Sequence, residues 1–153
     1  MSAGRVYISG PLMAAKNLES VKELYNFLAK ICSENGLNPY LPHNNTDPIR
    51  NSDISDYEVF EKDCKEMINS ALVISYIGEP SHGVGAELSI CISQNIPIIT
   101  INKINQKVSR FLKGMLKTSD RVYCLEYENS TELNQKLSEC LHVLRNINSL
   151  EVR

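Results

Sequence analysis

Five short apolar runs divide this chain, at residues 6–9, 37–41, 71–77, 96–101 and 121–127. Between them the apolar residues recur every three or four positions, the spacing of one helix face. Leu18, Val21, Leu24, Leu28 and Ile31 form the first such stripe, and Gly36 supplies a left-handed stop. Ser55 or Asp56 caps a second helix to about Asn69, with Val59, Phe60, Cys64, Met67 and Ile68 as its expected inward face. Asp63 falls on that same face. Leu88, Cys91 and Ile92 mark a third helix ending near Gln94, residues 108–116 a short fourth, and Leu133, Leu137, Leu141, Leu144 and Ile147 a fifth.

Strand and helix thus alternate five times without repeat or linker. That pattern predicts a three-layer α/β sandwich around a five-stranded parallel sheet, its crossovers right-handed, in a single domain over 1–153. Ligands of such sheets bind beyond the carboxyl ends of the strands. The loops expected there are 10–16, 42–55, 78–85 and 102–107. The polar loop from His43 to Ser55 is expected to be mobile or to cover a ligand, with His43 among its contacts.

Composition narrows the class. A net charge of −2 gives no general electrostatic case for a nucleic-acid polymer or a membrane surface. No apolar run approaches the ~20 residues that span a bilayer, and no signal peptide is visible. Five widely spaced cysteines, an odd number without a Cys-x-x-Cys pair, suit reduced thiols in a cytoplasmic protein. His43 and His82 lack metal-ligand spacing, so no metal site is expected. Cys91 lies on an apolar stripe, as a core thiol does.

The segment 78–88, Gly-Glu-Pro-Ser-His-Gly-Val-Gly-Ala-Glu-Leu, holds the chemistry. It follows a buried strand and opens a helix, where free N–H groups favour anions. Ser81, Gly83 and Gly85 make either a tight turn or a phosphate cradle; the segment is neither a Walker loop nor Gly-x-Gly-x-x-Gly. Glu87 either complements the helix dipole or serves as a catalytic carboxylate. Asp63, facing an apolar layer, must be paired, protonated or functional. Two such carboxylates meeting at one sheet edge resemble the pair used in glycoside cleavage. Tyr7, on the first strand, is a core aromatic or a ligand contact.

At these residues the chain resembles the nucleoside 2-deoxyribosyltransferase superfamily, and within it the 2'-deoxynucleoside 5'-monophosphate N-glycosidase branch. The resemblance is carried by Val-Tyr-Ile-Ser-Gly at 6–10, by 57–68 with Glu61-Lys62-Asp63, by 79–88, and by Val-Ser-Arg-Phe-Leu-Lys-Gly at 108–114. It implies a flavodoxin-like (Rossmann-like) sheet, no cofactor, and a small-molecule nucleotide substrate. It also implies Glu87 as nucleophile at the anomeric carbon, Asp63 as the carboxylate that handles the proton, and Tyr7 near a 2'-deoxyribose. Ser9 and Gly10 would line the substrate. Ser81, Gly83 and Gly85 would hold the 5'-phosphate, aided by Ser109 from the partner subunit of a homodimer. One departure stands out: residues 10–16 read Gly-Pro-Leu-Met-Ala-Ala-Lys, where the hydrolase branch often has Gly-Ser-Ile-Arg-Gly-Gly. The arginine that would help hold phosphate is therefore missing.

Overall fold

A computed structural model describes residues 3–147. The expected alternation is present: β1 (Arg5–Ser9), α1 (Leu18–Glu34), β2 (Asn38–Tyr40), α2 (Asp56–Ile68), β3 (Leu72–Tyr76), α3 (His82–Ser93), β4 (Ile98–Lys103), α4 (Arg110–Leu116), β5 (Val122–Tyr127) and α5 (Ser130–Asn146). All strand pairs are parallel, in the order β2-β1-β3-β4-β5. The order reverses between β1 and β3, the point where this class of sheet opens a ligand crevice.

Side chains alternate across a strand, so β1 divides its residues between the two layers. Val6 and Ile8 join Leu72 and Ile74 under α1 and α5. Tyr7 joins Val73 on the other face, under Met67 of α2, Val84 and Leu88 of α3 and Leu116 of α4. Ser9 pairs in register with Ser75 on that same face. The two helical layers therefore differ: the α1/α5 side buries Tyr25, Tyr76 and Tyr127 among its aliphatic residues, and the α2–α4 side holds Tyr7.

The helix ends follow from local sequence. Ser55 caps α2 in a reciprocal capping box with Glu58. Gly36, at φ 72, closes α1, with Leu37 N–H donating to the Cys32 carbonyl at 2.9 Å. β2 is one residue shorter at each end than the 37–41 run, and Pro39, which has no donor, sits at its centre. It is tolerated because β2 is an edge strand, paired only to β1.

Two expectations need correction. The α2 stripe is only partly covered: Met67 is buried, but Phe60 is 57% and Ile68 39% exposed. Helical spacing identifies the face, yet among the described residues Phe60 and Ile68 on it stay exposed. The second correction concerns the loop after β2. It opens with a 3-10 turn, Pro42–Asn44, and is tied down by a buried ion pair. Asp47 is fully buried and pairs with Lys22 of α1, while its Oδ1 accepts N–H bonds from Ile49 and Arg50, both at 2.8 Å. These bonds to the ionised form hold the Asp47 carboxyl down at about 2, against the effect of burial.

Removing one member of a buried pair leaves the other charge without compensation, typically a cost of about 3–5 kcal/mol. Asp47→Ala is expected to lower stability on that scale in urea denaturation. Asp47→Asn, which keeps an oxygen for Ile49 and Arg50, should lose less. Equal stability of all three proteins would show that the loop is not anchored this way.

Candidate active site

Three elements bring the polar residues together at the β1/β3 crevice. α3 begins at the Ser81 cap, whose side chain accepts from Val84 N–H, and carries Glu87 in its second turn. Glu87 points back over β1. Its Oε1 accepts from the Tyr7 hydroxyl at 3.0 Å and its Oε2 from the Ser9 hydroxyl. Ser75 Oγ lies 3.3 Å from Ser9 Oγ, extending the hydroxyl network to β3. Tyr7 stacks on Tyr40 of β2, with ring centroids 5.8 Å apart and planes inclined by 18°. That stack fixes the Tyr7 ring, and hence its hydroxyl, beneath the carboxylate.

Asp63 reaches the same region from α2. Both its oxygens lie within hydrogen-bond range of Thr46 Oγ1, at 3.2 and 3.1 Å. Burial raises the Asp63 carboxyl to about 6, against the Thr46 hydrogen bond, which lowers it. Burial raises Glu87 to about 7, opposed by the bonds from Ser9 and Tyr7 and reinforced by the charge of Asp63. Tyr7 is raised far above its ordinary range by burial and by the two carboxylates, so it remains a donor. Both carboxyls are thus raised chiefly by burial, and the Asp63 charge raises Glu87 further. Two carboxyls in one site can divide nucleophile and proton-handling roles between them, which is what glycosyl cleavage requires.

The remaining candidate residues lie around this centre in different ways. Ser9 is fully buried and directs its hydroxyl to Glu87. Gly10 is demanded by packing, since a Cβ there would stand 2.2 Å from the Tyr25 hydroxyl, which donates to the Pro11 carbonyl at 2.7 Å. At Gly83 and Gly85 the situation is reversed: a Cβ would meet only Ser81 Oγ at 3.8 Å in the first case and nothing within 4 Å in the second. The first turn of α3 is thus bare. Ser81 and Gly85 share a cavity of about 360 Å³ with Lys107, Ser109, Phe111 and Met115, in which Asp63 and Glu87 take no part. His43 is buried, with its ring 6.0 Å from that of Tyr25. Burial and the Lys22 charge lower its pKa, so it stays neutral. Cys91 is a buried thiol, raised by burial and by Glu87 to about 12.

Sequence reading passed over Thr46, Tyr40 and the Lys22–Asp47 pair. Lys22 left a usable signal: it lies four residues after Leu18 and three before Tyr25, at the border of the buried stripe. Thr46 and Asp47 left none, because both are ordinary turn residues in a polar loop.

The parallel α/β sheet with two carboxylates near its switch point is the architecture of a small-molecule site. The family model for nucleoside 2-deoxyribosyltransferase matches residues 6–136, and the chain belongs to that family, whose members act on the N-glycosyl bonds of nucleosides or nucleotides. No curated protein matches the chain in sequence. Among solved structures, BlsM superposes with a TM-score of 0.73 at 17% identity, covering 96% of this chain and 95% of that one. The CMP N-glycosidase BcmB of Clostridium botulinum gives 0.67 at 18% identity, with 89% and 98% covered. The 2-deoxyribosyltransferase of Bacillus psychrosaccharolyticus gives 0.62 at 14% identity, with 90% and 95% covered. At these identities the likeness is one of fold.

The raised carboxyls also act on stability. A carboxyl whose pKa is higher in the folded than in the unfolded chain adds stability that is complete below ~4 and lost as the pH passes its folded value. For Asp63 that loss runs from about pH 4 to about 6, and for Glu87 from about 4 to about 7. The urea midpoint of the wild type is expected to decline between about pH 4 and 7, and Glu87→Gln should decline less. An equal decline would place Glu87 in an ordinary solvated environment.

Proposed function

We propose that this protein hydrolyses the N-glycosidic bond of 2'-deoxynucleoside 5'-monophosphates, releasing free base and 2-deoxyribose 5-phosphate. The observation that carries the proposal is Glu87, bound through both oxygens by Tyr7 and Ser9 with Asp63 in electrostatic reach. Glu87 attacks C1' as the base departs with a proton from Asp63, and water then hydrolyses the glycosyl ester. The bare first turn of α3 at Ser81, Gly83 and Gly85 suits a 5'-phosphate, which fixes the sugar over Glu87. With the branch's arginine missing after β1, Lys16 of that loop and Lys107, which lines the cavity with Ser81 and Gly85, are the candidate cations for the phosphate.

The protein is further proposed to act as a homodimer with shared active sites, its own Ser109, rather than a neighbour's, lining the cavity beside Ser81 and Gly85. Phe60 on α2 and Phe111 on α4, 57% and 86% exposed in the same helical layer, support a protein partner there. No helix among the described residues is long and apolar enough to cross a membrane; a cytoplasmic location is proposed.

Incubation of the pure protein with all four deoxynucleoside monophosphates should release base, with Glu87→Gln reducing kcat by at least ~10³-fold. Binding without turnover across all four would sink the proposal. Equal cleavage of CMP would favour a ribonucleotide N-glycosidase. Base exchange outpacing hydrolysis, without need of a 5'-phosphate, would instead mark a transferase. Sedimentation of a strictly monomeric active enzyme would contradict the shared site.

A further inference from the structure

Asp63 stands on a helix with little to hold it, since Met67 is the one side chain of α2 that is buried. What fixes the carboxyl comes from outside the helix. Thr46 is 6% exposed, and its Oγ1 lies 3.2 and 3.1 Å from the two Asp63 oxygens and 3.0 Å from the Pro42 carbonyl oxygen. A hydroxyl has one proton and two lone pairs, whereas a carbonyl only accepts. The Pro42 carbonyl already accepts the N–H groups of Asn45 at 2.9 Å and Thr46 at 2.8 Å, so it stays satisfied when the Thr46 hydroxyl turns away. Thr46 therefore has two settings. Facing an ionised Asp63 it donates to the carboxylate; facing a protonated one it accepts that proton and donates to Pro42. Next to it, the Lys22–Asp47 pair holds the loop in place.

We propose that Thr46 is a positioning residue that holds Asp63 in one geometry through both of its protonation states. The inference rests on the N-glycosidase proposal, in which Asp63 must both give and recover a proton. In the first step the C1'–N bond breaks, a bond forms from C1' to a Glu87 oxygen, and the Asp63 proton passes to the departing base. In the second, water oxygen attacks C1', the ester bond to Glu87 breaks, and a water proton passes to Asp63. A partner that could only donate would resist the protonated state, and one that could only accept would resist the ionised state. Thr46 meets both, and being buried it does so without touching substrate.

The test compares Thr46→Val, which keeps the shape and loses the hydroxyl, with Thr46→Ser, which keeps the hydroxyl. Carboxyl carbon NMR of Asp63 reads the link without any turnover. Tyr7, Tyr40 and Glu87 face Asp63 from β1, β2 and α3, and Lys62 and Glu66 flank it on α2; all are unchanged in both variants. The bond donated to the carboxylate is charge-assisted and stronger than the one accepted from the acid. Thr46→Val should therefore move the Asp63 titration to higher pH, and Thr46→Ser should restore it; an unmoved titration in Thr46→Val overturns the proposal. In turnover, Thr46→Val should lower kcat about tenfold with KM little changed, the scale of one hydrogen bond to a charged group. Thr46→Ser should stay near wild type, and Thr46→Val should cost nothing further in an Asp63→Asn background. An equal loss in that background, or in Thr46→Ser, would mean a packing role and overturn the proposal. Absence of turnover in the wild type would refute the N-glycosidase proposal alone, because the titration still decides the Thr46–Asp63 link.

Discussion

A carboxylate set over a parallel sheet loses much of its water, and the cost of ionising it must be met by donors close at hand. Glu87 is in that position, and the surroundings of β1 are arranged to meet the cost. Tyr7 and Ser9 are two residues apart on one strand, so the period-two alternation places both hydroxyls on the same face, one for each oxygen of Glu87. The stack on Tyr40 and the contact with Ser75 then fix those donors from the strands on either side. Shifting β1 by one residue against its neighbours would turn both hydroxyls to the α1/α5 face and leave Glu87 without them. Sheet register and carboxylate chemistry are one constraint here.

The second carboxylate is supported differently. Asp63 depends on a loop rather than on the sheet, and the loop depends on the ion pair between Lys22 and Asp47 beneath it. α2 itself is lightly packed, with apolar surface left exposed on Phe60 and Ile68. One half of the site is thus rigid by strand geometry and the other by polar contacts across the chain. A nucleophile needs a fixed line of attack, whereas a group that passes a proton back and forth needs partners that accept both of its states.

The architecture was legible because period and punctuation are local properties. Five apolar runs separated by helical stripes require a parallel sheet, and the glycine-rich turn before Glu87 marked its ligand edge. Asp63 could be singled out for a similar reason: a charge on an apolar stripe is a visible anomaly. What escaped notice was relational. Ser9 reads as a strand residue near a ligand, and only the fold shows its hydroxyl on Glu87, 78 positions away. Thr46 and Asp47 read as turn formers, and the loop holding them as mobile, because a Lys–Asp pair spanning 25 residues leaves no local trace. The α2 stripe was over-read for the opposite reason: periodicity shows which way a face points, not whether anything covers it.

The central claim is that Glu87, aligned by Tyr7 and Ser9, bonds covalently to the sugar. Rapid quenching of the enzyme with a deoxynucleoside monophosphate, followed by mass spectrometry of its peptides, tests this directly. A 2-deoxyribose 5-phosphate ester should be found on the peptide containing Glu87, forming before free sugar phosphate accumulates and absent from Glu87→Gln. An adduct on another side chain, or undiminished product formation by Glu87→Gln, would contradict it.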